Sequence, residues 1–113
     1  MMSKKNTHIK INISLDENKV AEKIKWSAPD GGVKNKDAKA MFLSFWDSEK
    51  IETLKMDLWI KEMPINEMKL FFYQNIVSLG ETYFKATNDD KTYLSIKKFS
   101  KEFAEQIKLK LNK

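Results

Sequence analysis

Residues 46–73, WDSEKIETLKMDLWIKEMPINEMKLFFY, decide how this chain reads. Asp47-Ser48-Glu49-Lys50 is turn chemistry, in which short polar side chains bond back to their own backbone. After it Leu54, Met56, Leu58 and Ile60 alternate with Thr53, Lys55, Asp57 and Trp59. That two-residue period belongs to a strand with two unlike faces. Met63-Pro64 stops the strand, and Asn66 then supplies N-cap chemistry, with Ile65 and Leu70 placed as a hydrophobic staple. Turn, strand, stop and helix start follow one another, and none of them carries reaction chemistry.

Upstream, Ala40 to Trp46 (AMFLSFW) is apolar on both faces, as in a sheet-interior strand. A short helix competes, because periodicity cannot type a short apolar run. The segment that follows decides for a hairpin, with Met41, Leu43 and Phe45 beside the apolar row of the next strand. Ala28 to Asp37 (APDGGVKNKD) reads as the longest loop. Its Asp30-Gly31-Gly32 is a plain turn, since the spacing of neither a Walker loop nor a dinucleotide fingerprint is present. Further back, Ile9, Ile11, Ile13 and Leu15 alternate with Lys10, Asn12 and Ser14. Asp16 to Lys19 turns the chain into a second strand, Val20 to Ser27, with Ile24 and Trp26 inside and Lys23 and Lys25 outside. Residues 1–7 read as a flexible polar tail.

Downstream, a helix is expected from Glu67 to Ala86, about 30 Å long. Its stripe is Met68, Phe72, Ile76, Leu79 and Tyr83, widened by Tyr73, Val77 and Phe84, so more than half its girth should be buried. Gly80 inside it costs about 1 kcal/mol against alanine, which close approach of a packed neighbour would justify. Asn88-Asp89-Asp90 interrupts, and either aspartate can cap a second helix from Lys91 to Leu111, with Ile96, Phe99, Phe103 and Ile107 as its stripe. The order predicts an α+β fold in a single domain over 1–113: a four-stranded antiparallel sheet followed by two helices packed on one face, in two layers.

Composition narrows the activities. All 21 basic residues are lysine, against 16 acids, for a net charge of +5. Without guanidinium forks, bidentate readout of guanine or phosphate is lost, so no specific nucleic acid is expected as a partner. Cysteine is absent, which removes disulfides, thiolate nucleophiles and thiolate metal sites. His8 is the only histidine, on the polar side near one end, and no serine has a histidine to activate it. Asp47, Glu49 and Glu52, and Asp89 with Asp90, read as turn and cap residues rather than a calcium loop. No catalytic, cofactor or metal residue is expected, and the protein is not expected to be an enzyme. The first fifteen residues lack an apolar export core, and no apolar run approaches the ~20 residues of a membrane span. A cytoplasmic protein is expected.

One surface stands out. On the outer side of strands three and four lie Phe42, Trp46 and Trp59, with Lys55 and Asp57 between them. Each aromatic side chain can bury roughly 150–250 Å², so three rival the largest apolar patch of an ordinary monomer. This is the candidate partner or dimer face. A helix or the N-terminal segment covering it is the alternative.

The block Asp57, Leu58, Trp59, Lys61, Met63, Pro64, Glu67 and Met68 resembles the gliding motility protein C (GldC) family of Bacteroidetes. Phe71, Phe72 and Gln74 continue the resemblance, as do Thr82, Ala86, Thr87, Asp89 and Asp90, and it runs from about Ile9 to Lys108. Ile60, Asn66, Lys85 and Asn88 stand where the family pattern has threonine, aspartate, arginine and glycine. The resemblance implies a role in gliding and its associated type IX secretion machinery, and no catalytic residues. An adaptor binding the machinery's proteins is the expected function. A chaperone-like export factor holding unfolded clients is the alternative.

Overall fold

The computed structural model describes residues 5–109. The chain divides into two compact units, Met1–Met63 and Pro64–Lys113. Residues 1–4 of the expected tail lie outside the described residues.

In the first unit, β1 (Lys10–Leu15) and β2 (Ala21–Ala28) form the expected antiparallel hairpin. The turn is closed by Asp16, whose Oδ1 accepts the N–H groups of Asn18 (2.7 Å) and Val20 (3.0 Å). Ile11 pairs with Trp26 and Ile13 with Ile24, while Asn12 pairs with Lys25 and Ser14 with Lys23. Alternation thus sorts one apolar from one polar face, and Ile24 is 2% exposed. The ends of the apolar row are open. Ile9 precedes the pairing, and a bulge at Ser14/Leu15 breaks the register at Leu15.

The stretch read as the longest loop is instead a hairpin. Pro29–Gly31 makes one 3-10 turn, Gly32 takes the left-handed conformation (φ 74°), and β3 (Val33–Ala38) returns along β2. Lys25 Nζ lies 3.5 Å from Asp37 Oδ1 across that pair. VKNKDA shows no apolar alternation because it is an edge strand, where charge guards against unwanted pairing.

β4 (Ala40–Asp47) and β5 (Glu52–Trp59) form the second hairpin, paired from Ala40↔Trp59 to Asp47↔Glu52. The strand reading of Ala40 to Trp46 therefore stands. Asp47 Oδ1 accepts the Glu49 N–H at 3.0 Å, and Ile51 closes the turn at φ 52°, an unusual conformation for a β-branched residue. The expected single four-stranded sheet does not form. β1 and β3 occupy both edges of β2, and β4 and β5 pair only with each other, as a two-stranded sheet separate from the three-stranded β1-β2-β3. Lys39 alone separates β3 from β4. The Ile60 N–H donates to the Lys39 carbonyl (2.9 Å) and the Lys61 N–H to that of Ala21 (3.2 Å), which ties the end of β5 to the start of β2.

The second unit is a helical hairpin of α1 (Ile65–Thr87) and α2 (Asp90–Gln106). α1 begins two residues earlier than expected. Pro64, extended at ψ 146°, holds the N-cap position, and its carbonyl accepts the Met68 N–H at 2.9 Å. Asn66 therefore sits in the first turn rather than capping it, and Ile65 is 76% exposed, so the staple is not made. Asn88 ends α1 in the left-handed conformation (φ 59°), its N–H on the Phe84 carbonyl. Asparagine tolerates that conformation better than most residues, which accounts for its standing where glycine is expected.

Of the two candidate caps, Asp89 caps α2. Its Oδ1 accepts the Thr92 N–H (3.1 Å) and its Oδ2 the Tyr83 O–H (2.9 Å), and the Thr92 side chain, with its N–H and then Tyr83, holds the carboxyl below the ordinary value. α2 ends at Gln106, short of the expected Leu111, which lies outside the described residues. The helices meet where Gly80 faces Ile96, with Phe84 and Tyr93 rings 5.2 Å apart and Ser100 and Ala104 buried. A Cβ on Gly80 would stand 2.9 Å from Ile96 Cγ2, so the close approach inferred for this glycine is real. The expected burial is only partly met: Met68, Ile76 and Tyr83 of the α1 stripe and Ile96, Phe103 and Ile107 of the α2 stripe are half-buried, whereas Phe72, Leu79 and Phe99 are exposed.

Candidate interaction surface

The β4–β5 ladder fixes which side chains share a face. Phe42 pairs with Asp57, Ser44 with Lys55 and Trp46 with Thr53, and Trp59 stands opposite Ala40. All five residues of the candidate partner face, Phe42, Trp46, Lys55, Asp57 and Trp59, therefore lie on one side of one hairpin. The centre is tightly knit. Lys55 Nζ is 3.2 Å from Asp57 Oδ2 and 5.3 Å from the centroid of the Phe42 ring. The two indoles are exposed, Trp46 at 61% and Trp59 at 55%. They occupy opposite ends of the ladder, roughly 20 Å apart at ~3.3 Å per residue. The surface is thus two exposed indoles flanking a charged, phenyl-backed centre, not one continuous apolar patch.

Sequence reasoning missed the character of the opposite face. Met41, Leu43, Phe45, Leu54, Met56 and Leu58 form the apolar row expected to be interior, yet Phe45, Leu54 and Met56 are exposed. Both faces of the hairpin therefore present apolar side chains.

A second feature was also missed. Lys61 Nζ reaches Asp16 Oδ2 at 2.7 Å and Glu22 Oε2 at 3.9 Å, at the rim of a cleft of about 540 Å³ lined by Ser14, Glu22, Lys23, Lys61 and Glu62. The Lys61 ammonium and the Val20 N–H hold the Asp16 carboxyl down from 3.8 to about 2, and Asp16 in turn raises Lys61. A carboxyl depressed by folding stabilises the fold above its unfolded value and loses that contribution as pH falls through the folded one. Asp16→Asn should therefore flatten the acid limb of stability between about pH 4 and pH 2, read by urea midpoints across that range. An unchanged acid limb would show that the pair contributes nothing.

His8 is exposed ahead of β1, and Asp30-Gly31-Gly32 is spent on the turn into β3. Among the described residues no three His, Cys, Asp or Glu come together as a metal ion would need. No helix among them is long and apolar enough to cross a membrane.

The family of gliding motility-associated proteins described as GldC-like matches residues 21–109. The chain belongs to the GldC-like family. The matched region starts at the first residue of β2 and takes in β3, the whole β4–β5 hairpin and both helices of this GldC-like chain. No curated protein and no solved structure matches it.

Proposed function

We propose that this GldC-like chain is a non-catalytic, cytoplasmic adaptor of the gliding motility and type IX secretion machinery, acting through protein–protein contacts. The observation that carries the reading is the pair of exposed indoles, Trp46 and Trp59, on a face within the family match. Exposed tryptophan around a charged centre is the composition of an interface anchor, because an indole contributes large contact area at small cost in side-chain entropy. The all-lysine basic set favours a protein over a nucleic acid as the occupant.

A chaperone-like role is the second reading, and the exposure of Phe45, Leu54 and Met56 on the opposite face favours it. The two differ in clientele. An adaptor enriches one or two folded motility proteins, and a chaperone enriches many unfolded ones.

The test is affinity capture from a gliding bacterium, with mass-spectrometric identification, for the wild-type chain and for the double variant Trp46→Ser/Trp59→Ser. The expected result is a short list of motility proteins lost from the variant, with its circular dichroism unchanged and colony spreading impaired. Capture that is identical for both chains would remove this face from the function.

A further inference from the structure

The outer side of β5 turns a row of backbone N–H and C=O groups away from β4. The Ile60 N–H donates to the Lys39 carbonyl, so the adjoining pair Ala40↔Trp59 makes no direct hydrogen bonds. Bonded and non-bonded pairs alternate along an antiparallel ladder. Counting back from Trp59, Leu58, Met56 and Leu54 bond to β4, whereas Trp59, Asp57, Lys55 and Thr53 turn their N–H and C=O groups outward. Among the described residues no strand pairs with that side. A two-stranded hairpin is marginal by itself, and an unpaired edge is a template for another strand.

We infer that β5 of a second copy pairs there, antiparallel, about a two-fold axis through Met56. The register follows from two requirements. Outward-turned residues must meet outward-turned residues, which places the axis on a residue rather than between two. Like charges must not meet, since directly opposed like charges destabilise a strand pair. An axis on Lys55 sets lysine against lysine, and one on Asp57 sets carboxylate against carboxylate. An axis on Met56 sets Lys55 against Asp57 of the second copy, Thr53 against Trp59 and, on the other face, Leu54 against Leu58. Axes further along the strand leave fewer outward groups paired. The product is a four-stranded sheet, β4-β5-β5-β4, with a continuous apolar row across one face. The outer side of β4 carries Ala40, Phe42, Ser44 and Trp46 and no charged side chain, so no charge selects a register there. The inference concerns the edge of the hairpin and goes beyond the adaptor reading, which concerns its face.

The chain has no cysteine, so introduced cysteines report the register directly. On the axis, Met56→Cys falls in a non-bonded pair with Cα atoms about 4.5 Å apart, within disulfide reach. Mild oxidation should convert this variant to covalent dimer. Leu54→Cys and Leu58→Cys should each stay monomeric on a denaturing gel, and a mixture of the two should cross-link. Lys55→Glu opposes two carboxylates at both symmetric positions and should weaken the dimer about tenfold in sedimentation equilibrium. Lys55→Glu/Asp57→Lys should restore it, with circular dichroism confirming that each variant is folded. The inference is overturned by a wild-type chain monomeric at its highest soluble concentration. It is equally overturned by cross-linking through Leu43→Cys on β4, or by a dimer that Met56→Cys does not trap. Loss of machinery capture by the tryptophan variant while the Met56→Cys cross-link still forms bears on the face. Loss of the cross-link with capture intact bears on the edge.

Discussion

Ile24→Ala should lower the free energy of unfolding by about 2–5 kcal/mol, the range for deleting most of a buried aliphatic side chain and leaving a cavity. Ile24 is 2% exposed and is held on both sides, opposite Ile13 of β1 and Ala38 of β3. Neither neighbouring strand can collapse into the space without giving up its own register, which favours the upper part of the range. The neighbour Lys25 turns the other way, and Lys25→Ala should stay within about 0.5 kcal/mol. Urea titration of both variants checks the pair. Equal losses would mean that the β1-β2-β3 sheet has the opposite face inside.

Gly80→Leu should cost about 1–3 kcal/mol by overpacking the seam between α1 and α2. Even a Cβ there stands 2.9 Å from Ile96 Cγ2, a branch close to the backbone that cannot swing aside as the tip of a long side chain would. The gain of about 1 kcal/mol in helix propensity on leaving glycine offsets only part of that. Shortening the neighbour should relieve the clash. Ile96→Ala in the Gly80→Leu background should therefore cost less than it does alone, a coupling that a double-mutant cycle measures. Additive losses would place the helix contact elsewhere.

β1 and β5 were legible in the sequence, because side chains sorted by alternation leave a two-residue period, although the apolar row of β5 stays largely exposed. β3 was not, since VKNKDA lies at a sheet edge and has no dry face to record. Missing it also cost the sheet topology, because β3 is the third strand of the sheet that β1 and β2 begin, while β4 and β5 pair with each other. The helix start was misplaced for a local reason: Asn66 has better capping chemistry, but Pro64, extended at ψ 146°, takes the N-cap position, five residues after β5 has ended at Trp59.

At the candidate surface, alternation correctly put Phe42, Trp46, Lys55, Asp57 and Trp59 on one side. Which of them touch depends on the cross-strand register, and that sets the tryptophans at opposite ends. The contact of Lys61 with Asp16 was out of reach altogether. Its partners are distant in the chain, and nothing in either residue's neighbourhood names the other.

The pairing of β1 with β2, β2 with β3, β4 with β5 and α1 with α2 joins only successive elements. Chains dominated by such short-range contacts close small loops at little entropic cost and fold quickly, on the order of milliseconds or faster. Each hairpin is complete once its second arm has been synthesised, so the parts can form in order as the polypeptide leaves the ribosome. The long closure is that of Lys61 onto Ala21 and Asp16, and it waits until β5 is made. A nascent chain arrested before Lys61 would hold a finished β1-β2-β3 sheet while that clasp is still open.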